Sequence, residues 1–249
     1  MTGPTRVDAR LAAVTPIGPG VLALDFDLAG QRATFLPGQY LAVVTEDGSE
    51  VPFSIASTPA ELPGLTLHYR PTPDSDDARR MDALVAKARR APVEVALSLP
   101  LGECGVAAPT QRPLLLVAGG TGISQAWSVA RALAPLTTEA IRLYWGARSA
   151  DDLYLRRGFD ELAAACARFT WVGISEAPAA DLRSGLTADV VAADAAAGII
   201  DLATSDVLLC GGPPMVWATV ERLRDAGLTA DNCRADVFDY APRDDLWHP

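Results

Sequence analysis

Histidine is nearly missing from this chain. His68 and His248 are the only two in 249 residues, which excludes a histidine-rich metal site. Cysteine is sparse and scattered: Cys104, Cys166, Cys210 and Cys233 form no CxxC pair and no iron–sulfur spacing. Cys104, Cys166 and Cys233 read as reduced thiols in a cytoplasmic chain. Positive charge is in deficit, with 21 Lys and Arg against 31 Asp and Glu, a formal net charge of −10. Such a chain should be soluble and should repel nucleic acid, whose affinity for proteins rests on Lys and Arg meeting phosphates. No stretch approaches the roughly 20 apolar residues of a membrane helix. The opening MTGPTRVDARLAAV has neither an apolar core nor a small-residue cleavage pattern. The expectation is a cytoplasmic protein with no nucleic-acid partner and no membrane partner.

What is present has an ordinary globular balance, 49% apolar and 21% charged. The length suits one large domain or two modest ones, and the pattern changes near residue 110. The first part reads as short strands with turns between them: Val21 to Phe26, Gln39 to Thr45, Val51 to Ser57, Leu65 to Tyr69 and Val93 to Leu99. Glu46-Asp47-Gly48-Ser49 is a hairpin turn. Met81 to Arg90 is the one helical stretch, and Pro71 to Arg80 is a polar loop. This pattern predicts a small antiparallel barrel over residues 1–108.

After the link Ala107 to Pro113 the pattern alternates. Strands are expected at Leu114 to Ala118, Ile141 to Trp145, Phe169 to Ile174, Asp206 to Cys210 and Cys233 to Phe238. Helices are expected at Ser124 to Leu133, Phe159 to Arg168, Leu186 to Ala193 and Pro214 to Ala226, the last opening on proline. Alternation with buried strands predicts a parallel α/β sheet over residues 109–249.

Three segments carry chemistry. In the first, the buried run from Leu114 enters Gly119-Gly120-Thr121-Gly122 and then a helix. Glycines let backbone amides approach a pyrophosphate, and a helix N-terminus favours its negative charge. The end of a parallel strand is also where such sheets bind ligands. The spacing is not GxGxxG, because Gln125 stands where the third glycine would be. The second is Cys210-Gly211-Gly212-Pro213-Pro214-Met215, again a buried strand, a glycine turn and a helix starting on proline. Read alone, Cys210 is a packed thiol at a strand end. The third is Val51-Pro52-Phe53-Ser54-Ile55-Ala56-Ser57, a strand whose two serines suit the edge of a heterocycle or nothing more than a strand surface.

In this order the segments resemble the ferredoxin-NADP reductase superfamily, within it the small bacterial NAD(P)H:flavin oxidoreductases and the flavin/pyridine-nucleotide modules of oxygenase reductases. The family's R-x-[YF]-S-x-[AS]-[SN] flavin strand, its GGTG turn and its later CGxPxM-like segment match the three in turn. Pro37-Gly38-Gln39-Tyr40, Leu67-His68-Tyr69-Arg70, Pro100-Leu101-Gly102 and Tyr144-Trp145-Gly146-Ala147-Arg148 are similar to smaller family motifs. The resemblance covers Val7 to Tyr240.

The resemblance implies a flavin (FAD or FMN, loosely bound in one version) and NADH or NADPH as cofactors. Hydride would pass from the nicotinamide to flavin N5, and electrons onward to free flavin or to an oxygenase- or monooxygenase-type acceptor protein. Ser54, hydrogen-bonding near N5, and Cys210, beside the nicotinamide ring, would be the catalytic pair. Tyr40, Pro52, Phe53, Ser57, His68, Tyr69 and Arg70 would serve the flavin. Gly119, Gly120, Thr121, Gly122, Arg148, Gly211, Gly212, Pro213 and Met215 would serve the nicotinamide coenzyme. No metal ligand is implied, and the reaction needs position more than an acid or base.

Val51 departs from the pattern: the family has an arginine there that holds the flavin phosphate, and valine cannot. Arg70 is the available substitute. Three alternatives stay open: flavin as a loosely held substrate, flavin held by its ring, or a binding module that has lost flavin and with it catalysis. The tail Ala241 to Pro249 adds Trp247; Trp247 or Tyr240 would fold over the flavin and gate nicotinamide entry, or the tail is simply a disordered terminus. Arg148 and Ser149 suit a 2′-phosphate, whereas Asp151 and Asp152 oppose it.

Overall fold

The computed structural model describes residues 3–243, 245 and 246. By contacts it divides into two units. One holds the described chain through Val106 together with Trp127–Ala132, and the other holds Ala107–Ala126 together with the described residues from Leu133 on.

The first unit contains β1 (Thr5–Gly18), β2 (Val21–Asp27), β3 (Tyr40–Val44), β4 (Glu50–Ser54), β5 (Gly64–Tyr69), α1 (Asp76–Ala88) and β6 (Val93–Leu101). The strands form one antiparallel six-stranded sheet, in the order β4-β3-β6-β1-β2-β5. A single bridge, Ile55 to Leu67, joins the β4 side to the β5 side and curls the sheet into a barrel. The longest strand, β1, was not among the expected ones. Its charges hide the signal: Arg6, Asp8 and Arg10 are exposed while Val7, Ala9 and Leu11 are buried, a period of two. With Leu24, Leu41, Val43, Leu67 and Leu97 these residues form the core.

The helix α1 starts five residues before the expected Met81, so half of the supposed loop from Pro71 is helical. Ser75 is the reason. Its hydroxyl accepts from the Ala78 amide, and Asp76 and Asp77 follow in the first turn, a favourable start for a helix. Ala78, Met81 and Val85 are its buried face.

The second unit contains β7 (Leu114–Gly119), α2 (Ile123–Leu133), β8 (Ile141–Ala147), α3 (Arg156–Ala165), β9 (Phe169–Ser175), β10 (Arg183–Ser184), α4 (Thr187–Ala196), β11 (Asp206–Cys210), α5 (Pro213–Leu223), β12 (Cys233–Arg234) and α6 (Val237–Tyr240). The strands are parallel, ordered β10-β9-β8-β7-β11-β12. Five residues of β7 are buried in succession, as expected of a central strand with both faces covered. Val190, Val191, Val216, Val220 and Leu223 of α4 and α5 pack with Leu115, Val117 and Tyr144. Trp145, Phe159, Phe169 and Trp171 make a separate ring cluster.

One expected strand changes kind. Cys233 to Phe238 is two strand residues followed by a turn of helix, because only Cys233 and Arg234 find a partner in β11.

Candidate functional site

The chain runs from β7 through Gly119 and a tight turn at Gly120–Gly122 into α2. Beside it, β11 ends at Cys210 in register with Ala118, and Gly211-Gly212 leads into α5. Neighbouring parallel strands therefore bring the two glycine turns side by side. How close they come is measured by the methyl groups they lack. A Cβ on Gly122 would lie 2.3 Å from the Cys210 carbonyl oxygen, so only glycine fits. A Cβ on Gly119 would lie 3.0 Å from the end of Met215, and one on Gly211 2.6 Å from the same atom.

Gly120 is different. Its φ is +53°, a conformation suited to glycine, and a Cβ there would meet nothing within 4 Å. The space beside the Gly120 Cα is thus open, the room a close-approaching pyrophosphate needs. The Trp145 indole N–H donates to the Gly120 carbonyl at 3.1 Å and holds the turn from one side. Neither α2 nor α5 carries an acidic residue in its first turn, which leaves each helix dipole unopposed by its own side chains. Gln125, at the missing third glycine, is buried and donates to Asp236 at 2.9 Å.

Cys210 is fully buried. Desolvation, then the charge of Asp236, pushes its thiol well above the ordinary range, so it stays protonated. Arg148 is exposed and its carbonyl accepts from the Ala177 amide at 3.0 Å. The Ser149 hydroxyl donates to Asp152 at 2.8 Å. The sequence reading passed over Ser175. Its hydroxyl is buried at the carboxyl end of β9, in register with Ala147, and has no hydrogen-bond partner among the described residues. A serine closing a parallel strand was the available signal, since ligands collect at that end of such sheets. The glycine turns and this orphaned hydroxyl fit a dinucleotide.

In the first unit, alternation along β4 sorts the predicted flavin residues. Tyr40 and Ser54 are direct partners across β3 and β4, both half-buried, with Pro52 exposed beside them. Phe53 packs the other way and meets the Tyr69 ring edge-on at 5.9 Å. The Tyr69 hydroxyl donates to Asp82 at 2.8 Å. The Ser57 hydroxyl accepts from the Thr66 amide at 3.1 Å, and the Ser57 carbonyl accepts from Ser128 at 2.7 Å. His68 is buried, and desolvation lowers its pKa to about 4, so it is neutral at pH 7. Arg70 donates to the Pro19 carbonyl at 3.2 Å.

The structure thus gathers Tyr40 with Ser54 and Phe53 with Tyr69, and turns Ser57 and His68 into the fold. Along this edge the barrel is joined by the Ile55–Leu67 bridge and by the Ala56 amide donating to the Thr66 carbonyl at 2.9 Å. Half-buried aromatics and a hydroxyl beside a sparsely paired strand suit the flat edge of a heterocycle. A cavity of about 330 Å³ in the same unit is lined by other residues, among them Val44, Asp47, Arg80, Leu84, Lys87 and Val95. Tyr240 is 64% exposed, and Trp247 and His248 lie outside the described residues.

Comparison with known proteins bears on the same segments. Residues 116–221 match the family model of the oxidoreductase NAD-binding domain. Reductase component 1 of terephthalate 1,2-dioxygenase from Comamonas sp. is 33% identical over 248 residues, which is 95% of this chain and 69% of that protein. The chain belongs to the ferredoxin-NADP reductase superfamily. It is an oxidoreductase of that family. The NAD(P)H-flavin reductase of Aliivibrio fischeri is 30% identical over 194 residues, 77% of this chain and 81% of that one. Among solved structures, an Amycolatopsis cytochrome P450 reductase superposes with a TM-score of 0.82 at 26% identity, covering 94% of this chain and 70% of the other. The family activity is that of an NAD(P)H-dependent flavin or oxygenase reductase. Among the described residues no helix is long and apolar enough to cross a membrane.

Proposed function

We propose that this chain is an NAD(P)H:flavin oxidoreductase whose second unit binds the nicotinamide coenzyme and whose first unit binds the flavin. One observation carries the reading above the others. The two glycine turns, ninety residues apart in sequence, abut so closely that Gly122 has no room for a methyl group, while Gly120 keeps its backbone open. That combination suits a pyrophosphate on the α2 N-terminus.

When both ligands are bound, the nicotinamide supplies a hydride and the flavin accepts it at N5. The protein's own part is positional. Backbone amides at Gly119–Gly122 hold the phosphates, and the neutral Cys210 thiol adds no charge beside the ring. Ser54 offers a hydroxyl at the flavin's polar edge, and Tyr40, its cross-strand partner, walls it. The Ser175 hydroxyl serves the adenosine end of the coenzyme. There the Ser149 hydroxyl is already bound to Asp152, and Asp151 stands beside it in the chain, so NADH is the preferred donor. Reduced flavin, or an oxygenase-type partner protein, carries the electrons away.

The test is oxidation of NADH and NADPH by the purified chain, with and without riboflavin, FMN or FAD. Turnover that saturates with added flavin and favours NADH is the expected result. No turnover in any mixture removes free flavin as the acceptor, and a preference for NADPH removes the role given to the acidic residues.

A further inference from the structure

We propose that the cavity of about 330 Å³ in the first unit is a binding site for a linear zwitterion, a molecule with an ammonium group and a carboxylate at opposite ends of an apolar chain. The site lies away from the edge given to the flavin. Its lining includes Val44 at the end of β3, whereas Tyr40 begins that strand about 13 Å away. The inference therefore stands whether or not that edge takes a flavin.

The cavity lies where α1 meets the hairpin between β3 and β4 and the first half of β6. Its apolar surface comes from Val44, Ala83, Leu84, Val93, Val95 and Ala96. Of these, Leu84, Val93, Val95 and Ala96 are only half-buried. Apolar surface left partly open in a concave place gains from being covered by an apolar chain.

Six charged side chains also line the cavity, and four of them cancel in pairs between the helix and the hairpin. Arg80 donates to Asp47 at 2.8 Å, and Lys87 pairs with Glu46. The other two are Arg6 and Glu94. Both are exposed, and among the described residues neither side chain takes part in a hydrogen bond or an ion pair. Arg10, directly across from Glu94, is paired with Asp27 at 3.1 Å. Asp8, across from Ala96, does not line the cavity.

Strand register places the two unpaired charges. Arg6 lies across from Ser98, and Ser98, Ala96 and Glu94 share one face of β6. Arg6 and Glu94 thus stand on the same face in rows about 13 Å apart, with Ala96 midway between them. A positive end, an apolar floor and a negative end follow one another. An α-amino acid carries its two charges too close together to reach both ends. A chain of several methylenes can, with its carboxylate on the Arg6 guanidinium and its ammonium on Glu94. A fatty acid or an alkylamine meets only one of the two.

Calorimetric titration of the full chain with ε-aminocaproate, its isomer norleucine, caproate and hexylamine tests this without turnover. We expect ε-aminocaproate to bind with a dissociation constant of about 1 mM or below, and the other three to bind at least about tenfold more weakly, the value of one charge-assisted hydrogen bond. Norleucine binding as well as ε-aminocaproate overturns the inference, as does the absence of ε-aminocaproate binding up to about 20 mM. The variants Arg6→Gln and Glu94→Gln change exposed positions that do not threaten the fold. Arg6→Gln should weaken ε-aminocaproate about tenfold and leave hexylamine unchanged, and Glu94→Gln should weaken it equally and leave caproate unchanged. If either variant binds ε-aminocaproate as the wild type does, that charge does not hold the ligand and the zwitterion site is overturned.

Discussion

Two helices of this protein begin after a strand and a short connection, and they treat an anion in opposite ways. The helix α2 is entered through Gly119–Gly122, with no carboxylate in its first turn and with open backbone at Gly120. The helix α1 is entered through Ser75, Asp76 and Asp77, with its neighbouring cations tied to Asp47, Asp76 and Asp77. Both begin with first-turn amides that have no partner further along the helix, and both carry the same dipole. What distinguishes a phosphate cradle from a self-satisfied helix start is therefore the side chains of about five residues. Glycine leaves the amides to a ligand, and serine with aspartate consumes them from within.

The largest effect should come from filling the tightest point of the cradle. Gly122→Ala puts a methyl group against a backbone carbonyl that has no flexible end to yield. We expect a loss of at least about 3 kcal/mol in the second unit and no measurable NADH binding, read by thermal unfolding and calorimetry. NADH binding at wild-type affinity would break the comparison.

The next largest concerns the buried base of the other region. His68 has a folded-state pKa of about 4 against 6.5 for the free side chain. Between those values the unfolded chain holds a proton that the folded chain does not. Stability is therefore complete above pH 6.5 and falls by about 3 kcal/mol as the pH drops to 4. The variant His68→Gln should show a flatter acid limb in urea unfolding. A His68 that titrates by NMR at 6.5 or above would be charged enough to meet a phosphate, and the contrast between the regions would weaken.

A smaller effect is expected at the flavin edge. Ser54→Ala should lower kcat with riboflavin about fivefold, the value of one hydrogen bond, with NADH affinity unchanged. Equal loss in both would mean that Ser54 supports the fold rather than the flavin. The smallest belongs to Gly119→Ala. The new methyl group meets the Cε and Cγ of Met215 at 3.0 and 3.1 Å, an unbranched side chain that need give only a few tenths of an ångström. Less than about 1 kcal/mol should be lost, and KM for NADH should rise less than about fivefold. The gap between Gly119 and Gly122, three residues apart, sharpens the claim that backbone contact, and not glycine as such, defines the cradle.

Much of this was legible in the residues. Five consecutive apolar positions from Leu114, ended by glycine, can hardly be anything but a central parallel strand meeting a turn. The turns at Gly48 and Gly38, with φ of +81° and +96°, were marked by their glycines. The strand β1 escaped notice because its alternation is carried by alanine and valine among arginines and aspartates, a weak contrast until its buried face is seen. The start of α1 escaped because polar residues from Pro71 read as loop, although Ser75 and the two aspartates are good helix openers. Ser175 escaped because a serine says nothing of its surroundings.

Local sequence alone determined the kinds of most elements, the change from antiparallel to parallel near residue 110, and the glycines that permit close approach. These follow from backbone conformation and apolar period, which each short segment carries within itself. Tertiary structure alone decided that Gly122 lies under the Cys210 carbonyl, that Val51 faces the core, that Arg80 is held by Asp47 from a hairpin 33 residues away, and that the Ser175 hydroxyl is buried without a partner among the described residues. Each of these depends on which strand lies beside which. Strand order is set by how the whole set of apolar faces can be covered at once, and no single segment contains that information.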